Sequence, residues 1–410
     1  MAGAPRLLEG LRVIDAASFI AGPVATTVMA DFGADVIKVE PPTGDTYRVR
    51  GPGYPPSPYN FPWIVDNRSK RAIAIDLRTA DGQSVLHRLV RGVDVFVTNL
   101  PLDARPRLRV GWEDLAPLNP RLIYASVTAY GETGEEAARP GFDSTALWAR
   151  TGLMDLMRPS PDSPPTRSLP GMGDHPTGMS LFGAIMAALY QRERTGRGSM
   201  VATSLMANGL WWNAIQVQGI LCGTRTPVRP PREESVSALA NLYRCRDGRW
   251  FLLNLTADER RWEPLAAALG RKDLVADPRF ATQAARRANA RALAAILDEV
   301  FATRDWPDWR AILEATGIAF GVVGTLDDIP GDPQMRASGA LVPIEDPAAG
   351  ATLTVNSPIA ISGQEKVPPR MPPAIGEHTV SVLREARFDE AEIERLLKSG
   401  AIVQGKPTTA

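Results

Sequence analysis

The segment LRVID at residues 11–15 is a short apolar strand, and SFIAGP at residues 18–23 leads from it into a helix predicted over residues 23–32. The segment GAD at residues 33–35 then opens onto a second strand, VIKVE, at residues 36–40. A strand, a helix and a strand within about thirty residues predict a parallel βαβ unit. The unit lacks the glycine pattern GxGxxG of dinucleotide-binding folds, which argues against nicotinamide chemistry.

The same alternation of strands and helices continues beyond this unit. Apolar runs predict further strands at residues 72–77, 93–97, 122–127 and 198–204, with a helix at residues 80–91. This order predicts an α/β fold with an open, parallel, Rossmann-like sheet. Ligands are expected at the carboxyl ends of the strands in such a sheet. The loops at those ends contain Ser18–Gly22, Arg78, Asn99 with Leu100, and residues 129–131.

With 410 residues, the chain exceeds the size at which one core stops growing, so we expect two domains. Residues 224–235 are rich in proline and arginine, which is typical of a linker. Trp211 and Trp212, in a helix predicted over residues 205–221, are interpreted as core or interface residues. The predicted parts are a large α/β domain (1–223), a linker (224–240), a small α+β domain (241–330) and a segment that returns to the large domain (331–410).

The composition excludes several classes of protein. The 46 Lys and Arg residues balance 46 Asp and Glu residues, so nothing favours a nucleic-acid or membrane-surface partner. The two cysteines form no CxxC pair and the three histidines no HExxH motif, so we expect neither a metal site nor disulfides. The sequence shows no signal-peptide pattern and no apolar run of about 18 residues. We therefore expect a cytoplasmic protein.

The segment LPGMGDHPTGM at residues 169–179 surrounds one carboxylate, that of Asp174, with small residues. Pro176 suits the first position of a helix, and the apolar run that follows predicts a buried helix. In a glycine-lined turn at the start of a helix, backbone N–H groups and the positive helix end can hold an anion. The alternative is that Asp174 caps the helix, which is a common role for aspartate before a helix.

Together with other segments, this one resembles the family III CoA-transferases, which include the formyl-CoA, carnitine and phenyllactate CoA-transferases. The resemblance covers nearly the whole chain and depends on several separated segments: GLRVID (10–15), AGP (21–23), GADVIKVE (33–40), residues 67–77, residues 171–178, TGRG (195–198) and GEHT (376–379). The resemblance implies a CoA-binding large domain, an interlocked homodimer, no tightly bound cofactor, and coenzyme A as part of the substrate.

The resemblance also implies roles for individual residues. Asp174 matches the catalytic nucleophile. The positions that match CoA contacts are Phe19 and Ile20 beside the thioester, Ile75 and Arg78 at the adenine and phosphates, Asn99 and Leu100 at the pantetheine turn, and Arg109 at a further phosphate. Phe142, Asp143 and Gly173 match the substrate pocket. Without the resemblance, Arg78 and Arg109 are equally well read as solvated surface. Ile20 stands where the formyl-CoA enzymes carry Gln, which argues against formyl or oxalate specificity. The segments GFD (141–143) and GDH (173–175) look closer to those of the aryl-lactate type of member.

The resemblance predicts covalent catalysis without a metal: Asp174 attacks an acyl-CoA thioester, an aspartyl anhydride and then an aspartyl-CoA thioester form, and an acid accepts the CoA. Anhydride formation is uphill, because a carboxylate with pKa roughly 4 leaves more easily than a thiolate with pKa roughly 8.5. Glycine N–H groups could stabilise the oxyanions. The alternative is an α-methylacyl-CoA racemase-type isomerase. Such an enzyme needs two acid–base groups, and this chain has Phe142 where those enzymes carry one of them, a His. A non-catalytic CoA-binding module is the third possibility.

Overall fold

The computed structural model describes residues 6–49, 57, 59–225, 230–255, 259–345 and 352–406. This part of the chain contains strands β1 (Arg12–Asp15), β2 (Asp35–Glu40), β3 (Arg71–Ile75), β4 (Val95–Thr98), β5 (Ile123–Thr128), β6 (Met200–Ser204), β7 (Ala240–Arg244), β8 (Trp250–Asn254), β9 (Phe320–Val322), β10 (Leu341–Pro343), β11 (Leu353–Val355) and β12 (Ile402–Val403).

The helices of the same residues are α1 (Ala21–Asp31), α2 (Phe61–Asn67), α3 (Ala80–Val90), α4 (Ala104–Leu108), α5 (Trp112–Leu115), α6 (Leu153–Leu156), α7 (Asp174–Thr195), α8 (Leu205–Trp212), α9 (Ala214–Leu221), α10 (Trp262–Ala268), α11 (Asp273–Ala276), α12 (Gln283–Ala288), α13 (Ala290–Phe301), α14 (Trp306–Glu314), α15 (Pro333–Ala337), α16 (Thr379–Glu385) and α17 (Glu390–Lys398). A π-helical segment covers Asp143–Ala149. None of the helices in the described ranges is long and apolar enough to cross a membrane.

The main sheet confirms the predicted α/β class. Its seven strands follow the order β12-β3-β2-β1-β4-β5-β6, and every pair is parallel except β12 with β3. Val13 of β1 pairs with Val36 of β2 on one side and with Val95 of β4 on the other. The chain therefore reverses its direction of travel across the sheet between β1 and β4. Ligands of open α/β sheets bind in the crevice at such a reversal.

Helices cover both faces of this sheet because its strands are apolar on both sides. On one face, α1 and α7 pack against Val13, Val36 and Val95. On the other face, Ile14 and Ile37 belong to a second buried cluster, to which α3, α16 and α17 contribute. Each fully buried side chain of this kind contributes roughly 1.5–3 kcal/mol to folding. The two layers fix the strand ends from which the site is built.

Helix α7 departs from its prediction in two ways. It begins at Asp174, so Pro176 is its third residue and not its first. Only one stripe of the helix is buried, including Leu181 and Ile185, whereas Tyr190 is 67% exposed. The prediction of an entirely buried helix is therefore wrong within this chain, because α7 packs against α1 and the sheet on one side only.

The chain divides into two compact units. Unit 1 comprises residues 1–154, 167–225 and 333–410, and unit 2 comprises residues 155–166 and 226–332. Unit 2 contains the antiparallel sheet β7-β8-β9. Its core includes the packed rings of Tyr243, Phe251, Phe301 and Trp309.

The last part of unit 1 completes the main sheet. Strand β12 pairs antiparallel with β3, with Ile402 opposite Ile75. The backbone N–H of His378, just before α16, donates to the Ala72 carbonyl at 2.8 Å. A two-residue strand carries too little pattern to be predicted, and β12 was not expected from the sequence.

Candidate active site

The first turn of α7 lies against the first turn of α1, at the carboxyl end of β1. A Cβ atom at Gly178 would lie 2.7 Å from the Ala21 carbonyl oxygen and 2.6 Å from Val24 Cγ1, so only glycine allows this approach. Gly173 precedes the helix and Asp174 is its first residue. Among the residues that the structure describes, no side-chain hydrogen bond caps this helix. Asp174 is therefore not a capping residue, and the capping alternative is wrong.

The turn before Asp174 holds an anion, as the sequence predicted, but that anion is a side chain of this protein. Asp143 Oδ2 accepts hydrogen bonds from the N–H groups of Gly171 at 3.1 Å and Gly173 at 3.2 Å. Gly171 has a φ of +85°, a conformation that favours glycine. Because Asp143 occupies them, these two N–H groups are not available to a substrate oxyanion, and the expectation that they stabilise one is wrong.

Asp174 lies in a strongly acidic environment. Partial removal from water, followed by the charges of Asp143 and Asp66, raises the pKa of Asp174 to about 8, and His175 opposes this rise. Within the described part of the chain, the Asp174 carboxyl makes no hydrogen bond or ion pair in the structure. A part-buried carboxyl with no partner has the properties expected of a reactive group.

His175 contacts Asp66 of α2 through Nε2 and Oδ1, which lie 3.1 Å apart. Burial opposes protonation of this imidazole, but the hydrogen bond and charge of Asp66, with the charge of Asp174, raise its pKa above the usual value. The carboxylate of Asp66 is itself buried. His175 is thus held in place by α2.

Phe19 and Ile20 lie beside this turn. A Cβ atom at Gly171 would be 3.4 Å from Ile20 Cδ1. The Phe19 ring meets the Phe142 ring edge-on with 5.7 Å between centroids, and both rings are exposed, by 41% and 59%. Phe19 has a φ of +60°, which is uncommon for a residue with a bulky side chain. The structure thus brings these apolar residues together with the Asp174 turn.

Asn99 joins the two strand ends at the point where the sheet order reverses. Its Oδ1 accepts from the Ser18 N–H at 2.8 Å, and its Nδ2 donates to the Ser18 carbonyl at 2.7 Å. This pair fixes the loop that carries Phe19. Leu100 follows, with its carbonyl accepting from Arg105 Nε at 2.9 Å. The structure therefore places Asn99 and Leu100 at the crevice, with Asn99 also serving the fold.

Three other predicted residues lie away from the Asp174 turn. Ile75 is 1% exposed, so its side chain packs in the core. Arg78 is exposed and pairs with Asp76 at 2.7 Å. Arg109 ends α4 in a left-handed conformation and lines a groove of about 540 Å³ with His87 and other residues of α3. Their predicted contacts with CoA stay predictions.

A buried lysine beneath the site was not predicted from the sequence. Lys70 Nζ donates to Asp15 Oδ2 at 2.8 Å, to the Pro23 carbonyl at 2.9 Å and to the Asp66 carbonyl at 2.8 Å. These partners belong to β1, α1 and α2. Phe19 lies in the loop between β1 and α1, and Asp66 lies on α2. Burial lowers the pKa of Lys70 to about 8, although Asp15 opposes that shift. The polar run DNRSKR at residues 66–71 was the one available signal.

A crevice at the reversal of an α/β sheet, with one unpartnered carboxyl beside it, suits covalent acyl transfer. Comparisons with known proteins give the family of the chain. The sequence profile of CoA-transferase family III matches residues 8–379. The chain is 31% identical to the cinnamoyl-CoA:phenyllactate CoA-transferase of Clostridium sporogenes, with 98% of each chain covered. It is 29% identical to the (R)-2-hydroxy-4-methylpentanoate CoA-transferase of Clostridioides difficile, over 97% of this chain and 99% of that one.

The chain is also similar to solved structures. A CAIB/BAIF family protein from Brucella suis matches with a TM-score of 0.83 and 32% identity, over 93% of this chain and 100% of that one. Rv3272 from Mycobacterium tuberculosis matches with a TM-score of 0.78 and 29% identity, over 92% of this chain and 98% of that one. This chain belongs to CoA-transferase family III, as the sequence indicated, and it is an enzyme of the transferase class.

Proposed function

We propose that this enzyme moves CoA from an acyl-CoA thioester to a carboxylic acid, with Asp174 as the nucleophile. The observation that supports this most directly is the environment of Asp174. Its carboxyl has no partner in the described structure, stands next to glycines and an exposed apolar surface, and has a pKa raised to about 8 by burial and by Asp143 and Asp66. A substrate can reach such a group, and no ion pair must be broken first.

The proposed reaction takes up and releases no proton overall. An oxygen of ionised Asp174 bonds to the thioester carbonyl carbon, the carbon–sulfur bond breaks, and the CoA thiolate leaves with the electron pair. The thiolate then attacks the aspartyl carbonyl carbon of the anhydride and releases the first acid as its carboxylate. The acceptor carboxylate attacks the resulting aspartyl-CoA thioester, and the same two exchanges run in reverse order.

The raised pKa of Asp174 makes the first exchange easier. An ordinary aspartate, with pKa roughly 4, is a much better leaving group than a thiolate, with pKa roughly 8.5, so its anhydride tends to revert. With a pKa of about 8, Asp174 approaches the basicity of the thiolate. The unfavourable free energy of anhydride formation is reduced accordingly. The same shift requires the resting carboxyl to lose a proton before it attacks.

We propose that the CoA part of the substrate follows the residues that the resemblance assigned. Phe19 and Ile20 would lie at the thioester, and Asn99 and Leu100 at the pantetheine chain, because these residues border the crevice. Arg78 and Arg109, both exposed, would meet the phosphates. The exposed rings of Phe19 and Phe142 favour acyl groups with an apolar part. The racemase alternative is not favoured, because Phe142 cannot transfer a proton and His175 is held by Asp66.

Trapping of the covalent intermediate tests this proposal. Incubation of the enzyme with a panel of acyl-CoAs, including aryl and branched 2-hydroxyacyl thioesters, followed by hydroxylamine, is expected to convert Asp174 alone to its hydroxamate, because hydroxylamine attacks activated acyl groups. Peptide mass spectrometry would locate the change. Omission of acyl-CoA is the control. The proposal would be wrong if transfer proceeded with no modified Asp174, and exchange of an α-proton with deuterated solvent would point to an isomerase.

We further propose that the enzyme is a homodimer. Helices α8 and α9 expose several large apolar side chains, with Trp211 at 77% and Ile215 at 83% exposure. Trp211 was expected in the core or at an interface. Its exposure excludes the core of this chain, whereas an interface would bury it. Sedimentation equilibrium is expected to give twice the monomer mass, and a monomer at micromolar concentration would refute the proposal.

Two free thiols, Cys222 and Cys245, support a cytoplasmic location, which cell fractionation can test.

A further inference from the structure

Asp143 accounts for the shape of the turn before Asp174. Its Oδ2 binds the N–H groups of Gly171 and Gly173, and it thereby fixes the backbone on both sides of Met172. A Cβ atom at Gly173 would lie 3.0 Å from Asp143 Cβ, so the two chain segments are in close contact. Asp143 belongs to the π-helical segment and not to α7. The position of the Asp174 turn therefore depends on a group that lies outside its own helix.

We propose that Asp143 is a positioning residue for CoA transfer: it fixes the turn that carries Asp174 and places a second negative charge beside the nucleophile. This inference rests on the proposed function. It replaces the expectation that Asp143 lines the substrate pocket, because Asp143 is only 5% exposed and its Oδ2 is bound by backbone N–H groups. Asp143 acts on the reaction through Asp174 and does not need to touch the substrate.

The charged groups around Asp174 leave the repulsion from Asp143 largely uncompensated. Asp143 faces it from the π-helical segment, Asp66 from α2 and His175 from α7 itself. Helix α1 contributes the apolar residues Ala21 and Val24 where it contacts α7. His175 is the only cation among the described groups that act directly on Asp174, and it is itself paired with Asp66. An ionised Asp174 is thus repelled by two carboxylates and attracted by one compensated imidazole.

Acylation relieves that repulsion. When the Asp174 oxygen bonds to the acyl carbon, its negative charge leaves on the CoA sulfur with the electron pair of the broken carbon–sulfur bond. The anhydride and the later aspartyl-CoA thioester are both neutral at Asp174. The charge of Asp143 therefore destabilises the ionised state relative to both covalent intermediates. This favours the intermediates without any hydrogen bond to the substrate.

Two substitutions separate the two parts of this role. Asp143→Asn keeps a carbonyl oxygen that can accept from Gly171 and Gly173 but removes the charge, whereas Asp143→Ala removes both. Glu394 is an exposed carboxylate on α17, and Glu394→Gln is therefore the control for the loss of one negative charge. Steady-state transfer is measured between pH 5.5 and 9.5 with an acyl-CoA that the wild-type enzyme uses. Circular dichroism melting establishes that each variant is folded.

With Asp143→Asn, the midpoint of the rise of kcat/KM with pH is expected to fall by about one unit, because a repelling charge has been removed. With Asp143→Ala, kcat is expected to fall by about 100-fold in addition, because the turn is no longer fixed. Glu394→Gln should match wild type. An unchanged midpoint in Asp143→Asn, or wild-type kcat in folded Asp143→Ala, would overturn the inference. A wild-type enzyme that transfers no CoA and forms no Asp174 adduct would instead overturn the proposed function.

Discussion

Replacement of Asp174 by asparagine is expected to lower kcat for CoA transfer by roughly 10,000-fold or more, which is the loss seen when a nucleophile is removed from a covalent mechanism. Asparagine has nearly the shape of aspartate but cannot ionise, so it cannot form the anhydride. Progress curves with purified acyl-CoA and acid, followed by chromatography of the CoA products, measure the loss. Asp174→Glu keeps a carboxylate but displaces it, so kcat of this variant should be about 100-fold below that of wild type.

The fold of the Asp174→Asn variant is expected to survive, and its stability provides the control. The native pKa of Asp174 is raised from 3.8 to about 8, so the stability that this group provides is fully present below 3.8 and is lost as the pH rises from there to about 8. Asparagine does not titrate. Above pH 8, the variant should therefore have a higher free energy of unfolding than wild type in urea titrations. Wild-type transfer rates in Asp174→Asn would exclude Asp174 as the nucleophile.

The second large effect concerns stability. Lys70→Met is expected to reduce the free energy of unfolding by about 3–5 kcal/mol, because it removes one partner of a buried ion pair and leaves Asp15 poorly compensated. Asp15 is fully buried, and its other cation, Lys38, lies 3.8 Å away. The carbonyls of Pro23 and Asp66 each lose one donor as well and keep those of Thr26 and Thr27. Denaturant unfolding followed by tryptophan fluorescence measures the change.

Two further variants make this prediction specific. The double variant Lys70→Met with Asp15→Asn should be less unstable than the two single effects added together, because it removes both charges of the pair. Lys398→Met removes an exposed lysine that lies 3.7 Å from Glu394, and it should cost less than about 1 kcal/mol. Equal losses for Lys70→Met and Lys398→Met would show that the buried network does not stabilise the fold.

The sheet could be predicted from the sequence because its signal is local. Apolar runs such as residues 36–40 predict strands by themselves, and their alternation with helices predicts the parallel order. Asp174 could be found for the same reason, since its glycines and the start of a helix are adjacent in the chain. The positions of Phe19 and Ile20 beside it required the family resemblance, because they lie far away in sequence.

The parts that could not be predicted depend on side chains that meet across the fold. The glycine N–H groups of this turn were expected to stabilise a substrate oxyanion, but Asp143, about thirty residues earlier, binds those of Gly171 and Gly173. Lys38 and Lys70 look like surface residues in any local pattern, and only their distant carboxylates and carbonyls make burial possible. No rule of spacing relates these partners. Their pairing is a property of the folded chain.

The antiparallel pairing of β12 with β3 has a consequence for synthesis. On the ribosome, Ile75 emerges roughly 300 residues before Ile402, which is tens of seconds at ordinary translation rates. Throughout that interval, one border of the nascent sheet has unsatisfied backbone amides and carbonyls, which can recruit foreign strands. All of unit 2 is made during the same wait. Until β12 has been made, chaperones would protect this border from such pairing.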